Sequence, residues 1–152
     1  MHDVSAFLEG LSKLPLRIYQ PGEVVLHEGQ TTGRLFVLKQ GAVEVVSGGQ
    51  QIAVASEPGA VFGELGVLLD KPHMADVRAL EPSTFYCADG KVFLRVHREA
   101  ALHVAMILAR RLVAAHRNLD GVKSRLSSDQ QGGELGDMID AVDRSLQLEP
   151  QR

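Results

Sequence analysis

The chain of 152 residues is short of cysteine, of positive charge and of long apolar runs, and each shortage excludes a class of function. Its single cysteine, Cys87, cannot close an internal disulfide, and the strand-like run around it, TFYCA, predicts a small core residue rather than a nucleophile. A reduced, cytoplasmic setting is the expectation. Sixteen Lys and Arg against 19 Asp and Glu leave a net charge of -3, with no basic footprint for nucleic acid. The best membrane candidate, AALHVAMILA at 100–109, is half the roughly 20 residues a span needs and ends in Arg110 and Arg111. No membrane span is expected. The opening MHDVSAFLEG has neither the basic nor the apolar segment of a secretory signal.

Proline and glycine are unevenly distributed, and their gaps divide the chain. Residues 3–14 set Val4, Phe7, Leu8, Leu11 and Leu14 at spacings of three and four, which predicts a short helix with Asp3 as its N-cap and Pro15 as its stop. From Arg17 to Ala88, short runs of Val, Ile, Leu and Phe are broken by turn signals every seven to twelve residues. That texture predicts an all-β sandwich or barrel. Its clearest hairpin joins AVEVV to QIAVA across SGGQ. Residues 90–126 then contain no proline, and one or two helices are expected there. Leu102, Ala105, Ala109, Leu112, His116, Leu119, Lys123 and Leu126 fall on a heptad seam. A helix over 99–126 would be about 42 Å long, more than a small barrel needs, so the seam predicts a homodimer. The polar, acidic tail, 127–152, is expected to be flexible, with one short helix over Glu134 to Leu148.

Within the β region, residues 62–79 read FGELGVLLDKPHMADVRA. Gly63 and Gly66 allow close backbone approach to a ligand and present amide N–H groups, which suits a phosphate. The cation that should accompany a phosphate is missing. No arginine lies between Pro72 and Ala75, and His73, Lys71 and Arg78 are the nearby candidates. Strand alternation places Ala75 and Val77 on one side and Asp76 and Arg78 on the other, facing water.

Three stretches in one order, YQPGEVVLHEG, LFVLKQGAVEVV and PGAVFGELGVLLDKP, resemble the cyclic-nucleotide-binding domain of catabolite activator proteins, kinase regulatory subunits and gated channels. The resemblance runs from about Phe7 to Leu126, so residues 1–126 are read as one domain. It implies a mainly β fold with flanking α: a double-stranded β-helix, or jelly-roll-like β-roll, between a short N-terminal and a long C-terminal helix. It also implies a phosphate-binding cassette whose site residues are Phe62, Gly63, Glu64, Leu65, His73, Met74 and Ala75. In that pattern Glu64 accepts the ribose 2′-hydroxyl, and the backbone at Gly63, Leu65 and Ala75 faces the cyclic phosphate. His73 departs from the pattern, because it stands where the family has an arginine. Met74 stands where a small or hydroxyl residue is usual. Histidine is mostly neutral at pH 7, and loss of a buried charge partner costs about 2–5 kcal/mol.

The implied function is a stand-alone regulatory domain sensing a cyclic nucleotide such as cyclic AMP or cyclic GMP, with no other cofactor. An alternative is a degenerate module of the same fold that binds a protein partner and no nucleotide. Only 26 residues follow Leu126, too few for a DNA-binding helix-turn-helix. A cupin-like metalloenzyme is the remote third reading. Cupin spacing over GEVVLHEGQTTGRLFVLKQG places Gly29 and Arg34 where His and Glu ligands belong, and leaves His27 alone. Catalysis is therefore not expected.

Overall fold

The computed structural model describes residues 4–129. A helix, α1 (Val4–Leu11), precedes eight strands: β1 (Leu16–Tyr19), β2 (Val24–Leu26), β3 (Arg34–Gln40), β4 (Val43–Ser47), β5 (Gln50–Ala55), β6 (Val61–Phe62), β7 (Asp76–Ala79) and β8 (Ser83–Asp89). A short helix, α2 (Glu64–Leu69), interrupts them between β6 and β7, and α3 (Gly90–Val96) and α4 (Arg98–Asp129) follow. The strands form two four-stranded antiparallel sheets, ordered β1-β8-β3-β6 and β2-β7-β4-β5. This is the all-β architecture expected from the turn spacing, in the jelly-roll form that the family resemblance implied.

The hairpin between β4 and β5 forms where the sequence placed it. Ser47 pairs with Gln50, and Gly48 and Gly49 both take positive φ, 58° and 77°, as a two-residue turn of this hand demands. The N-terminal helix is shorter than its apolar spacing suggested. It stops at Leu11 because the next residues fold back as a turn, with Leu14 N–H donating to the Leu11 carbonyl at 2.9 Å. The C-terminal helical stretch is two helices. The Asp89 side chain caps α3 by accepting from the Val92 N–H at 3.2 Å, and His97 breaks the run in an extended conformation.

Alternation along the strands decides what each sheet face buries. Phe36 and Leu38 of β3 point between the sheets, where they meet Phe62, Phe85, Cys87, Val25, Leu26, Val43 and Val77. Phe85 is fully buried, with the rings of Tyr19, Phe36 and Phe62 edge-on around it at centroid distances of 5.8 to 6.1 Å. Leu35 and Val37 point the other way yet are equally buried, so both faces of β3 are covered. Helical residues Phe7, Leu11, Phe93, Ala100 and Val104 supply further buried surface beyond that outer face, where α2 packs on β3 and α3 on β8. Cys87 is the buried core residue its strand context predicted.

Residues up to Ala105 form one compact unit and those from Met106 onward a second. The described part of the second is the remainder of α4, on which Leu112 and Val113 are half exposed. The expected helix over Glu134 to Leu148 lies outside the described residues. No described helix is long and apolar enough to cross a membrane.

Candidate ligand-binding site

Five strand ends converge at one end of the barrel: β2, β6 and β8 finish there, and β3 and β7 begin. The stretch singled out in the sequence closes that end. Phe62 is the last inward residue of β6 and belongs to the barrel core. Gly63 follows in the left-handed region at φ 86° and caps α2 with no side chain. A Cβ on Gly63 would lie 2.5 Å from the Arg34 carbonyl oxygen, so two strands' ends meet here at a separation that only glycine permits. Glu64 opens α2, its side chain buried at 4% exposure. A carboxylate so placed needs polar company, and His73 faces it closely enough to feel its charge.

His73 is itself buried at 6% exposure. Its backbone is fixed on both sides, the N–H donating to the Gln30 carbonyl at 2.9 Å and the carbonyl accepting from the Gly29 N–H at 2.8 Å. Its ring Nε2 lies 2.8 Å from the Thr32 hydroxyl, and that same oxygen accepts from the Arg34 N–H at 3.2 Å. Gly66 makes room for the ring, since a Cβ there would stand 3.2 Å from Nδ1. Burial pushes the imidazole below its ordinary pKa, against a smaller opposing pull from Glu64. The ring is accordingly neutral at pH 7.

That depression has a consequence for acid stability. The unfolded imidazole protonates near about pH 6.5, whereas the folded one resists until lower pH, so between the two values the unfolded chain binds more protons. Stability is therefore expected to be fully present above about pH 6.5 and to fall as the pH drops through the folded value. Urea unfolding of wild type and His73→Gln at pH 7.5 and 5.5 should show a smaller acid loss in the variant. Equal losses would mean that His73 is not the group that titrates.

The remaining expected site residues are placed less uniformly. Ala75 is half-buried just ahead of inward-facing Val77, and Leu65 is partly exposed on α2. Met74 is 67% exposed and turns its side chain to solvent. Asp76 and Arg78 do lie on the outward face but are not simply solvated. Asp76 accepts from the Glu28 N–H at 2.6 Å, and Arg78 pairs with Glu44 at 3.4 Å.

Thr32 and Arg34 were not among the expected site residues, although the loop before β3 brings Thr32 to His73 and the first residue of β3, Arg34, meets Gly63. The signal for Arg34 was available in the alternation of RLFVL, since the inward phenyl of Phe36 and side chain of Leu38 put Arg34 on the same face. Behind the cassette, α2 lies against α3 without clearance: a Cβ on Gly90 would overlap both methyls of Val67. Among the described residues, no three His, Cys, Asp or Glu side chains are grouped to hold a metal. His103 and His97 serve packing instead: His103 bonds to the Gly59 carbonyl at 2.9 Å and stacks on Phe7, and His97 tilts against Phe93.

Comparison with known proteins agrees with this geometry. The cyclic nucleotide-binding domain family model matches residues 16–100, more than half the chain. The HTH-type transcriptional regulator Cmr of Mycobacterium tuberculosis is 29% identical over 152 residues, covering 96% of this chain and 60% of the regulator. The cAMP-dependent protein kinase regulatory subunit of Yarrowia lipolytica is 28% identical over 94 residues, covering 62% of this chain and 25% of the subunit. This chain thus spans less than two thirds of either relative. The solved catabolite activator protein of Thermus thermophilus shares the fold with a TM-score of 0.65 at 24% identity, over 84% of this chain and 68% of that one. With a family model that matches more than half of it and a jelly-roll fold, the chain belongs to the cyclic nucleotide-binding domain family.

Proposed function

We propose that the domain is a regulatory sensor of a cyclic nucleotide, cyclic AMP or cyclic GMP, held by the cassette of residues 62–75. The observation that carries this reading is the buried Glu64 carboxylate behind left-handed Gly63 at the end of the barrel that this stretch closes. In it, Glu64 accepts the ribose 2′-hydroxyl, and the backbone at Gly63, Leu65 and Ala75 faces the phosphate. Phe62 forms the floor. His73 takes the arginine's place and contributes a hydrogen bond from its ring, whose Nε2 is already shared with Thr32. Met74 contributes backbone alone. Calorimetric titration of the purified protein with cyclic AMP, cyclic GMP and a cyclic dinucleotide tests the reading. Saturable binding of one mononucleotide supports it, and no heat at millimolar ligand overturns it.

A second reading is an interaction module that binds a protein partner and no nucleotide. The bond between His73 and Thr32 favours it, because that bond occupies one of the two ring nitrogens and the buried ring is neutral at pH 7. The same titration separates the two.

Signal output in this reading passes through a homodimer on the α4 seam. Leu102 and Leu112 of that seam are each half exposed, as a row awaiting a partner would be. Leu112→Asp would bury an unpaired charge in such a contact, which costs several kcal/mol. Sedimentation should find a dimer in wild type and a monomer in the variant. A monomeric wild type, or a variant that stays dimeric, removes the seam from the mechanism.

A further inference from the structure

We propose that Arg34, and not His73, supplies the positive charge that holds a phosphodiester anion in this pocket. The assignment rests on the cyclic nucleotide reading and says where its missing cation lies. Arg34 opens β3 on the inward face, in register with Asp89 and diagonally across from Cys87, whose partner on β3 is Phe36. Its guanidinium reaches into the barrel end, with Nη1 3.8 Å from the buried Cys87 sulfur. A thiol does not neutralise a guanidinium. Asp89, the acid opposite, spends its side chain on the α3 cap, and among the described residues no carboxylate forms an ion pair with Arg34. A permanent charge directed at a mostly apolar barrel end without a counter-ion is a receptor for an anion.

The neighbours of Arg34 fix where that anion would sit. Its carbonyl abuts Gly63, one residue before Glu64, and its N–H shares the Thr32 hydroxyl with the His73 ring. Backbone contacts therefore set Arg34 beside the cassette's first glycine and beside the Thr32–His73 pair. His73 is the weaker candidate on two counts: it is neutral at pH 7, and its Nε2 is bonded to Thr32. In this assignment the arginine absent from the loop is replaced by one at the start of the adjoining strand, whose planar fork suits a phosphate oxygen pair.

Calorimetry at pH 8, with the full chain, compares wild type, Arg34→Gln, Arg34→Lys and His73→Gln against cyclic AMP, cyclic GMP and adenosine. Arg34→Gln is expected to weaken the better cyclic nucleotide by roughly 10- to 100-fold, with Arg34→Lys intermediate because it keeps the charge without the fork. His73→Gln should lose less than Arg34→Gln. Adenosine, which has no phosphate, should bind wild type and Arg34→Gln alike. Thermal melts of the variants check that exposed Arg34 can be replaced without unfolding the barrel. Wild type that binds no cyclic nucleotide overturns the functional reading and the assignment together. Wild-type binding that Arg34→Gln changes by less than about twofold, or that His73→Gln weakens more, overturns the assignment alone. Equal loss of adenosine and cyclic nucleotide would also overturn it, by showing that Arg34 merely supports the pocket.

Discussion

Phe85→Ala is expected to lower the free energy of unfolding by about 3–5 kcal/mol, the usual cost of removing a fully buried phenyl. Phe85 has no exposed surface, and three aromatic rings meet it edge-on from β1, β3 and β6. These strands belong to one sheet while the facing sheet supplies Val25, Leu26, Val43 and Val77, so the cavity left behind is walled on every side by residues with partners of their own. Such walls collapse little, which places the cost toward the upper end. The melting temperature should fall by roughly 10 °C or more for a chain of this size. A Tm lowered by only a degree or two would mean that the barrel interior is more plastic than its ring packing implies.

Glu64→Ala is expected to weaken cyclic nucleotide binding by about tenfold to 150-fold. A hydrogen bond from a ribose hydroxyl to a carboxylate contributes about 1.5–3 kcal/mol, and 1.4 kcal/mol is a factor of ten. The side chain is 4% exposed, so its removal leaves the ribose hydroxyl facing a buried position that has lost its acceptor. Glu64→Gln keeps the shape and one acceptor oxygen, and should fall between alanine and wild type. The comparison with the Arg34 variants is informative in direction. Adenosine retains the ribose, so Glu64→Ala should weaken adenosine and cyclic nucleotide together, whereas Arg34→Gln should spare adenosine. Binding unaffected by Glu64→Ala would refute the cassette assignment.

The barrel was legible because its turns are written locally. Gly48 and Gly49 sit between two apolar runs, and a two-residue turn with positive φ at both positions has few other sequences. Local order also made the stretch from Phe62 to Ala75 legible as a glycine-opened turn and short helix, because it is continuous in sequence. What the sequence concealed depends on residues distant along the chain. Thr32 and His73 are 41 positions apart, and nothing in either neighbourhood announces their bond. Arg34 is a milder case: the alternation of RLFVL gives its inward direction, but its nearness to Gly63 follows from the pairing of β3 with β6, about 25 positions on. The early end of α1 at Leu11 likewise follows from a turn that apolar spacing does not encode.

The missing Cβ of Gly90 leaves α3 with no play against Val67 of α2. Two bodies meshed so closely cannot be displaced independently, because interiors at this density shift between discrete arrangements rather than yielding gradually. Whatever moves the cassette helix must therefore re-seat the helix beside it. In the proposed sensor, thermodynamic reciprocity then runs the traffic both ways: a partner that gripped α3 would change occupancy of the cassette by the same factor as occupancy changed the grip. The short helix behind the pocket is in that sense a second input as much as an output.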